Sequence, residues 1–166
     1  MIVEGRAIVI PEANVDTDVL FPGEFLNLDD PAKMKEHLFE GYDPGLRDQL
    51  DGDTVLAVGE NFGAGSSREH VPLAMKHSGI RCVVGRSFAR IFFRNCVNLG
   101  LPIVRCPAAV DATRPGSQIR LDTEKGSVEV DGRRFEAGPL PEFMQALVAA
   151  GGLVPWASER LAEDRP

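Results

Sequence analysis

The sequence has 166 residues, of which 43% are hydrophobic and 26% charged, a composition typical of a folded globular protein rather than a disordered or fibrous one. The formal net charge of −7 argues against nucleic acid or an anionic membrane as a partner, and no apolar run approaches the roughly 20 residues of a membrane span. The length predicts a single domain over residues 1–166 with a frayed tail from Ala157, and the lack of a secretory signal pattern predicts a cytoplasmic protein.

The first third of the chain predicts one strand followed by a loop-rich region. Residues 8–10 are β-branched and end at Pro11, which favours a strand, and residues 14–18 (Asn-Val-Asp-Thr-Asp) predict a loop after it. Glycine and proline are frequent between residues 22 and 44. We expect one short helix there, over residues 33–39, started by the Asp30-Pro31 pair.

The centre of the chain predicts two successive strand–helix units. Residues 54–58 form a continuous apolar run, and a glycine-rich turn, a helix over residues 71–79 and a strand over residues 82–85 follow. Ser87 is expected to cap a helix over residues 88–96 before a strand at residues 101–104. Strands alternating with helices indicate an α/β domain with a parallel sheet.

The last third predicts a small antiparallel meander and a closing helix. Apolar residues alternate with polar ones between 119 and 135, around turns at Gly126 and Gly132. Residues 139–150 open with prolines and stop at two glycines, which favours a helix packed on the sheet. We therefore expect a mostly parallel α/β core with an added β-hairpin region.

The three cysteines, Cys82, Cys96 and Cys106, stand far apart in the chain. An odd number without a Cys-x-x-Cys pair predicts neither a disulfide framework nor a local zinc or iron–sulfur site. We expect this chain to bind no metal, and its cysteines to be buried as small hydrophobic residues. A metal cluster in its chemistry would have to come from another chain.

Residues 63–70 (Gly-Ala-Gly-Ser-Ser-Arg-Glu-His) carry the chemistry most visible in the sequence. They place two hydroxyls and a guanidinium where a predicted strand ends and a helix begins, and the free N–H groups of a helix start favour an anion. A serine ionises more easily there, and Arg68 is able to pair with a carboxylate through two hydrogen bonds. The segment predicts a general base beside a carboxylate-binding group.

The competing interpretation of this segment is structural, because Ser66 or Ser67 followed by Glu69 resembles a helix capping box. Asp16 and Asp18 share a face of an extended segment and suit proton transfer, although the pattern read alone favours turn carboxylates over that role. His70 and His77 lie seven residues apart, which favours packed or surface roles over a metal pair. The signatures of nucleotide P-loops, dinucleotide folds and esterase elbows do not match the glycine-rich segment.

Three segments together, residues 14–18, 59–70 and 86–95, resemble the small subunits of 3-isopropylmalate dehydratase and homoaconitase in order and spacing. Residues 143–156 are similar to the C-terminal end of the same proteins, so the resemblance covers nearly the whole chain. It implies a swivelling β/β/α domain, equivalent to the fourth domain of single-chain aconitases. Such a domain closes over a [4Fe–4S] cluster held by a large subunit, as a heterodimer or heterotetramer, and this chain binds no cofactor itself.

The resemblance also implies roles for individual residues. Ser66 matches the family's catalytic serine, which removes the proton next to a carboxylate, and Asp18 matches its active-site aspartate. Ser67 and Arg68 match the contacts to the carboxylate of a small dicarboxylate substrate. The implied reaction is isomerisation of a hydroxy acid by dehydration and rehydration, within leucine biosynthesis.

The substrate loop of this family follows the Asp-Thr-Asp segment and commonly contains Tyr-Leu-Arg-Thr in homoaconitase types and Tyr-Leu-Val-Tyr in isopropylmalate types. Here it contains Phe25, Leu26, Asn27 and Leu28. With no arginine at position 27 for a third carboxylate, and with apolar surface at Leu28, a branched alkyl group is favoured.

This departure from both patterns leaves another alkylmalate, such as dimethylmalate, as an open alternative substrate. A homoaconitase-like or regulatory subunit is a second hypothesis. A stand-alone serine hydrolase is a third, although no signature places a histidine to activate Ser66.

Overall fold

The computed structural model describes residues 1–163 of the chain and contains one seven-stranded sheet. The strands are β1 Ile2–Ile10, β2 Thr54–Val58, β3 Ile80–Gly85, β4 Ile103–Arg105, β5 Gln118–Asp122, β6 Ser127–Val130 and β7 Arg133–Glu136. The helices are α1 Thr17–Leu20, α2 Pro31–Lys35, α3 His70–His77, α4 Arg90–Asn98, α5 Pro107–Ala112, α6 Glu142–Ala150 and α7 Leu153–Glu163. Single 3₁₀ segments occur at Gly23–Phe25 and Pro44–Gln49.

The sheet has a parallel half and an antiparallel half, in the order β4-β3-β2-β1-β5-β6-β7. Strands β1 to β4 pair in parallel, and β5 to β7 continue from β1 as an antiparallel meander. Strand β1 joins the halves, because its second part pairs with β2 and its first part pairs with β5. The α/β fold with a parallel core and an added hairpin region is thereby confirmed.

Side chains that alternate along the strands build two cores, one on each face of the sheet. In β2, Leu56 and Val58 join the first core, where α3, α4 and α6 pack. Val55 and Ala57 point to the second core, which α5 covers through Ala109. Burial on both faces explains why this strand is a continuous apolar run instead of an alternating one.

Lys76 ties the helix that follows the glycine-rich turn to two of its neighbours. Its ammonium group donates to the carbonyl of Leu99 at 2.7 Å and to that of Gly151 at 2.9 Å, at the C-terminal ends of α4 and α6. A cation at these ends satisfies free carbonyls and complements both helix dipoles. Partial burial lowers the pKa of Lys76.

Several sequence predictions need correction. Ser87 does not cap a helix: α4 begins at Arg90 with Ala89 as its N-cap, and the Ser87 hydroxyl accepts the N–H of Asn61 instead. Asp30 does cap α2, but that helix ends at Lys35. Strand β1 begins at Ile2, earlier than predicted. Residues 157–163 belong to α7, fraying of the tail from Ala157 stays a prediction, and the last three residues lie outside the described part.

Helix α5, which the sequence analysis did not predict, starts at Pro107 and covers the second core. None of the helices within residues 1–163 is long and apolar enough to cross a membrane.

Candidate active site at the carboxyl ends of the parallel strands

The three sequence segments that carry the resemblance meet where β1, β2 and β3 end. Asn61 donates its side-chain amide to the Asn14 side chain at 2.9 Å, which joins the loops after β2 and β1. The N–H of Phe62 donates to the carbonyl of Ser87 at 3.2 Å and joins the loop after β3. The carboxyl edge of a parallel sheet is the usual place for a ligand site in α/β proteins.

Two glycines allow the turn after β2 to lie close to its neighbours. Gly63 and Gly65 have φ angles of +81° and +92°, which L-residues with a side chain rarely adopt. A Cβ atom on Gly63 would overlap the Phe92 ring of α4, and one on Gly65 would overlap the carboxylate of Asp16. Both positions therefore require glycine for conformation and for space.

Ser66, Arg68 and Asp18 form one hydrogen-bonded cluster at this edge. Arg68 donates from Nε to Ser66 Oγ at 2.7 Å, and its Nη2 forms an ion pair with Asp18 Oδ1 at 2.7 Å. The Ser66 hydroxyl lies 3.4 Å from Asp18 Oδ1, to which it donates. Ser66 and Asp18 are exposed while the Arg68 side chain is 18% exposed, so a buried cation holds two groups that face solvent.

The capping-box interpretation of Ser66 and Ser67 is wrong. The N-cap of α3 is Glu69, and no side chain forms a capping hydrogen bond there. The hydroxyl of Ser66 is directed to Arg68 and Asp18 instead. Ser67 is exposed on the same loop.

The two aspartates of the first loop have separate positions. Asp16 is the N-cap of α1 and accepts the N–H of Asp18 at 2.7 Å, which is the turn role considered for this pair. Asp18 instead reaches the Ser66 and Arg68 cluster. Of the pair, only Asp18 pairs with the Ser66 and Arg68 side chains, whereas the Asp16 carboxylate lies against Gly65 of the same turn.

The segment that the resemblance assigns to the substrate packs against the first core. Phe25, Leu26 and Leu28 are half-buried against the first core, and Asn27 is exposed. The Phe25 ring stacks on His37 with centroids 3.7 Å apart and meets Phe21 edge-on. The loop thus has most of its apolar surface already packed, and Gly23, just before it, lies against the Arg68 guanidinium.

Comparison with known proteins gives consistent matches. The Aconitase C-terminal domain family matches residues 46–108. The 3-isopropylmalate dehydratase small subunit of Caldicellulosiruptor saccharolyticus is 43% identical over 99% of this chain and 95% of its own. The chain belongs to the 3-isopropylmalate dehydratase small-subunit family.

Other relatives agree with this family. A second small subunit of the same name, from Methanopyrus kandleri, is 47% identical over 92% of this chain and 91% of its own. The crystal structure of 3-isopropylmalate dehydratase from Methanocaldococcus jannaschii matches with a TM-score of 0.90 at 34% identity, covering 98% of this chain and 96% of that one. The 2,3-dimethylmalate dehydratase small subunit of Eubacterium barkeri is 45% identical over 85% of this chain and 88% of its own.

Two residues of this family member belong to the site but were missed in the sequence analysis. Thr17 is buried and donates from Oγ1 to the Ser66 carbonyl at 3.0 Å, which fixes the backbone of the serine. Gly23 lies over the guanidinium, since a Cβ there would be 3.1 Å from Arg68 Nη1. That Nη1 atom is buried and has no hydrogen-bond partner among residues 1–163. The only feature of the sequence that could have pointed to a role for Thr17 is its position between the two aspartates.

The cysteines of this family member do not fit a cluster site. Cys82 and Cys106 lie in the second core and Cys96 in the first, on opposite faces of the sheet. All three are buried, and burial raises the pKa of Cys82 to about 12 and also raises that of Cys96, opposite to the thiolate state that a metal requires. Within residues 1–163, no three or more His, Cys, Asp or Glu side chains are arranged to hold a metal ion.

The histidines have the packing and surface positions expected from the sequence. His70 stacks on Phe21 with centroids 6.2 Å apart, and His77 is exposed at the end of α3. A ring series of His37, Phe25, Phe21 and His70 thus connects the substrate loop to the start of α3.

Proposed function

We propose that the chain is the small subunit of a two-chain hydro-lyase that interconverts 3-isopropylmalate and 2-isopropylmalate by loss and return of water. The observation that carries this proposal is the Ser66 hydroxyl, which is 2.7 Å from a buried guanidinium at the carboxyl edge of the sheet and caps no helix. The identity of 43% to a protein named as such a small subunit supports it.

Ser66 is the proposed base. A serine hydroxyl is weakly acidic, and a cation that donates a charge-assisted hydrogen bond to its oxygen stabilises the alkoxide. Arg68 is in that position, and Asp18 is the acceptor for the proton that the hydroxyl loses. The alkoxide then takes the proton from the carbon next to a substrate carboxylate.

Arg68 is also the proposed partner of that carboxylate. Its present ion-pair partner, Asp18, is a carboxylate too, so a substrate carboxylate competes for the same guanidinium. Movement of Gly23 and the substrate loop would expose Nη1 for a second hydrogen bond. The charge that develops on the substrate carboxylate as the proton leaves is then stabilised by two N–H donors.

The electron pair of the broken C–H bond forms a carbon–carbon double bond as hydroxide leaves the neighbouring carbon. Water adds back to the alkene with hydroxyl and hydrogen exchanged, which gives the isomer. We propose that a [4Fe–4S] cluster on the large subunit supplies the Lewis acid for the hydroxyl group. This chain supplies the proton transfer and the carboxylate contact.

A Ser66→Ala substitution tests the role of the hydroxyl. In the complex with its large subunit, turnover of 3-isopropylmalate should fall roughly 10³-fold, which is the scale of general-base catalysis. The exposed Ser158 on α7 provides a matched control, and Ser158→Ala should leave turnover unchanged. Co-elution of both variants with the large subunit shows that assembly is intact. Near-normal turnover of an assembled Ser66→Ala complex contradicts the proposal.

Dimethylmalate is the second candidate substrate, because the relative from Eubacterium barkeri is named for it. Rates on 3-isopropylmalate, 2,3-dimethylmalate and homoaconitate separate the candidates. We expect the first to be preferred, because Phe25, Leu26 and Leu28 offer apolar surface and exposed Asn27 offers no cation. An Asn27→Arg variant should raise the relative rate on homoaconitate, and Asn27→Gln is its control.

A further inference from the structure

The chain has a basic segment that the proposed chemistry leaves unused. The protein carries a net charge of −7, yet residues 70–110 contain no aspartate or glutamate and include Lys76 and five arginines. Arg81 and Arg86 are paired with Asp53 and Asp111. Arg90 and Arg94, on α4, are exposed and have no carboxylate within 4.0 Å in the described part of the chain.

These two arginines border a groove of about 440 Å³ beside α4. Its floor is formed by Phe88, Phe93 and Met144, and Arg105 completes the rim. The floor residues are half-buried against the first core, so they are positioned by the fold. Aromatic residues, methionine and arginine are enriched at protein–protein interfaces, and these are the residue types that form the floor and the rim of this groove.

The groove adjoins the loop that carries Ser66. Ser87 and Ala89, at its border, exchange hydrogen bonds with Phe62, and the Phe92 ring of α4 packs against Gly63. Under the proposed function, a second chain must bring its metal centre to this edge of the sheet. We therefore expect the surface next to the Ser66 loop to lie close to that chain.

We infer that this groove is a docking site for the cluster-binding large subunit, which inserts a segment with acidic side chains on either side of an apolar one. The inference rests on the proposed function for the identity of the partner. The arginine rim pairs with the carboxylates, and the aromatic floor takes the apolar side chain. Charge complementarity at a rim acts mainly on the rate of association and weakens with salt.

A double charge reversal, Arg90→Glu with Arg94→Glu, tests the rim. Binding to the purified, cluster-loaded large subunit should weaken roughly tenfold or more at low salt, mainly through slower association, and the difference should shrink as salt is raised. The matched control is Arg133→Glu with Arg134→Glu, two exposed arginines on β7 at the opposite edge of the sheet. Equal weakening by both pairs, or by neither, overturns the inference.

Cross-linking locates the surface independently. The three native cysteines are buried, so Arg94→Cys introduces one accessible thiol that takes a maleimide–benzophenone label. Illumination of the complex should attach this chain to the large subunit, and the same label at Arg134→Cys should not. Absence of a cross-link from position 94 in a complex that has formed counts against the site.

Two further outcomes are decisive. If the isolated chain is a dimer in sedimentation and the rim reversal makes it a monomer, a second copy occupies the groove and the inference is wrong. Binding is measured without turnover, so the proposed function and the docking site fail separately. If position 94 cross-links to the large subunit but the complex does not convert isopropylmalate, the docking site is supported and the proposed function is wrong.

Discussion

The parallel and antiparallel halves of the sheet differ in what their strands carry. In the parallel half, β1, β2 and β3 end in loops that hold Ser66, Arg68 and Asp18 together. In the antiparallel half, one face of β5 and β6 lines the second core, and the other carries Arg120 between Glu4 and Glu129. Parallel strands need long connections, which are free to carry chemistry, whereas short hairpin turns leave little room for it.

Replacing one arginine in each half by lysine should produce the largest difference in activity. Arg68→Lys should lower kcat/KM roughly 100-fold or more, because an ammonium cannot keep the fork that contacts Ser66 and Asp18. Arg120→Lys changes only the partly exposed pairs to Glu4 and Glu129, far from the candidate site, so turnover should stay within about twofold and stability within about 1 kcal/mol. Assays of both complexes with 3-isopropylmalate check this, and equal losses would refute the division of roles.

Two glycines with similar backbone angles should differ in their effect on stability. Gly63 and Gly132 have φ angles of +81° and +83°, but a Cβ on Gly63 would overlap Phe92, and one on Gly132 meets no atom within 4 Å. Gly132→Ala should destabilise by about 1 kcal/mol, the left-handed penalty alone. Gly63→Ala adds displacement of a packed ring and should destabilise by about 3 kcal/mol or more. Urea unfolding of the isolated chain measures both, and similar values would show that the loop repacks freely.

Local sequence patterns predicted the elements that have a strong local signal. The apolar run at residues 54–58 matches β2 at both ends, and the hairpin around Gly126 follows from alternation and a glycine turn. Helix α7 was missed because its side chains depend on partners: Trp156 packs edge-on to Phe143 of α6, and Arg160 lies over the Trp156 ring. Ser87 was assigned to a helix cap because the sequence does not show that Asn61 supplies its donor.

The same limit applies to the candidate site. Ser66 and Arg68 stood out because a glycine-rich turn between strand and helix is a local signal. The contact of Thr17 with the Ser66 carbonyl joins residues 49 apart, and Gly23 approaches Arg68 only after the chain folds back. Sequence indicated the groups that we propose to carry the chemistry, and only the fold shows which groups lie beside them.

Asp122 should affect stability but not activity, and its effect should depend on pH. It is buried at the end of β5, where the N–H groups of Lys125 and Glu124 donate to its Oδ1 at 3.0 and 3.1 Å. The hydrogen bond from Lys125 is the main cause that lowers the pKa of Asp122 below its ordinary value of 3.8. A lowered folded-state pKa stabilises the protein above pH 3.8, and this stabilisation is lost as the pH falls through the folded-state value.

An Asp122→Asn chain should therefore be less stable than wild type at pH 7, and the two unfolding free energies should converge as the pH falls below 3.8. Because Asp51 and Asp131 also have lowered pKa values, the informative quantity is the difference between the two proteins at each pH. Asp48→Asn, at an exposed carboxylate, serves as the control. If the difference in unfolding free energy stays constant across pH, Asp122 stabilises the protein through its shape and not through its charge. If Asp122→Asn loses turnover at pH 7, a residue of the antiparallel half also contributes to activity.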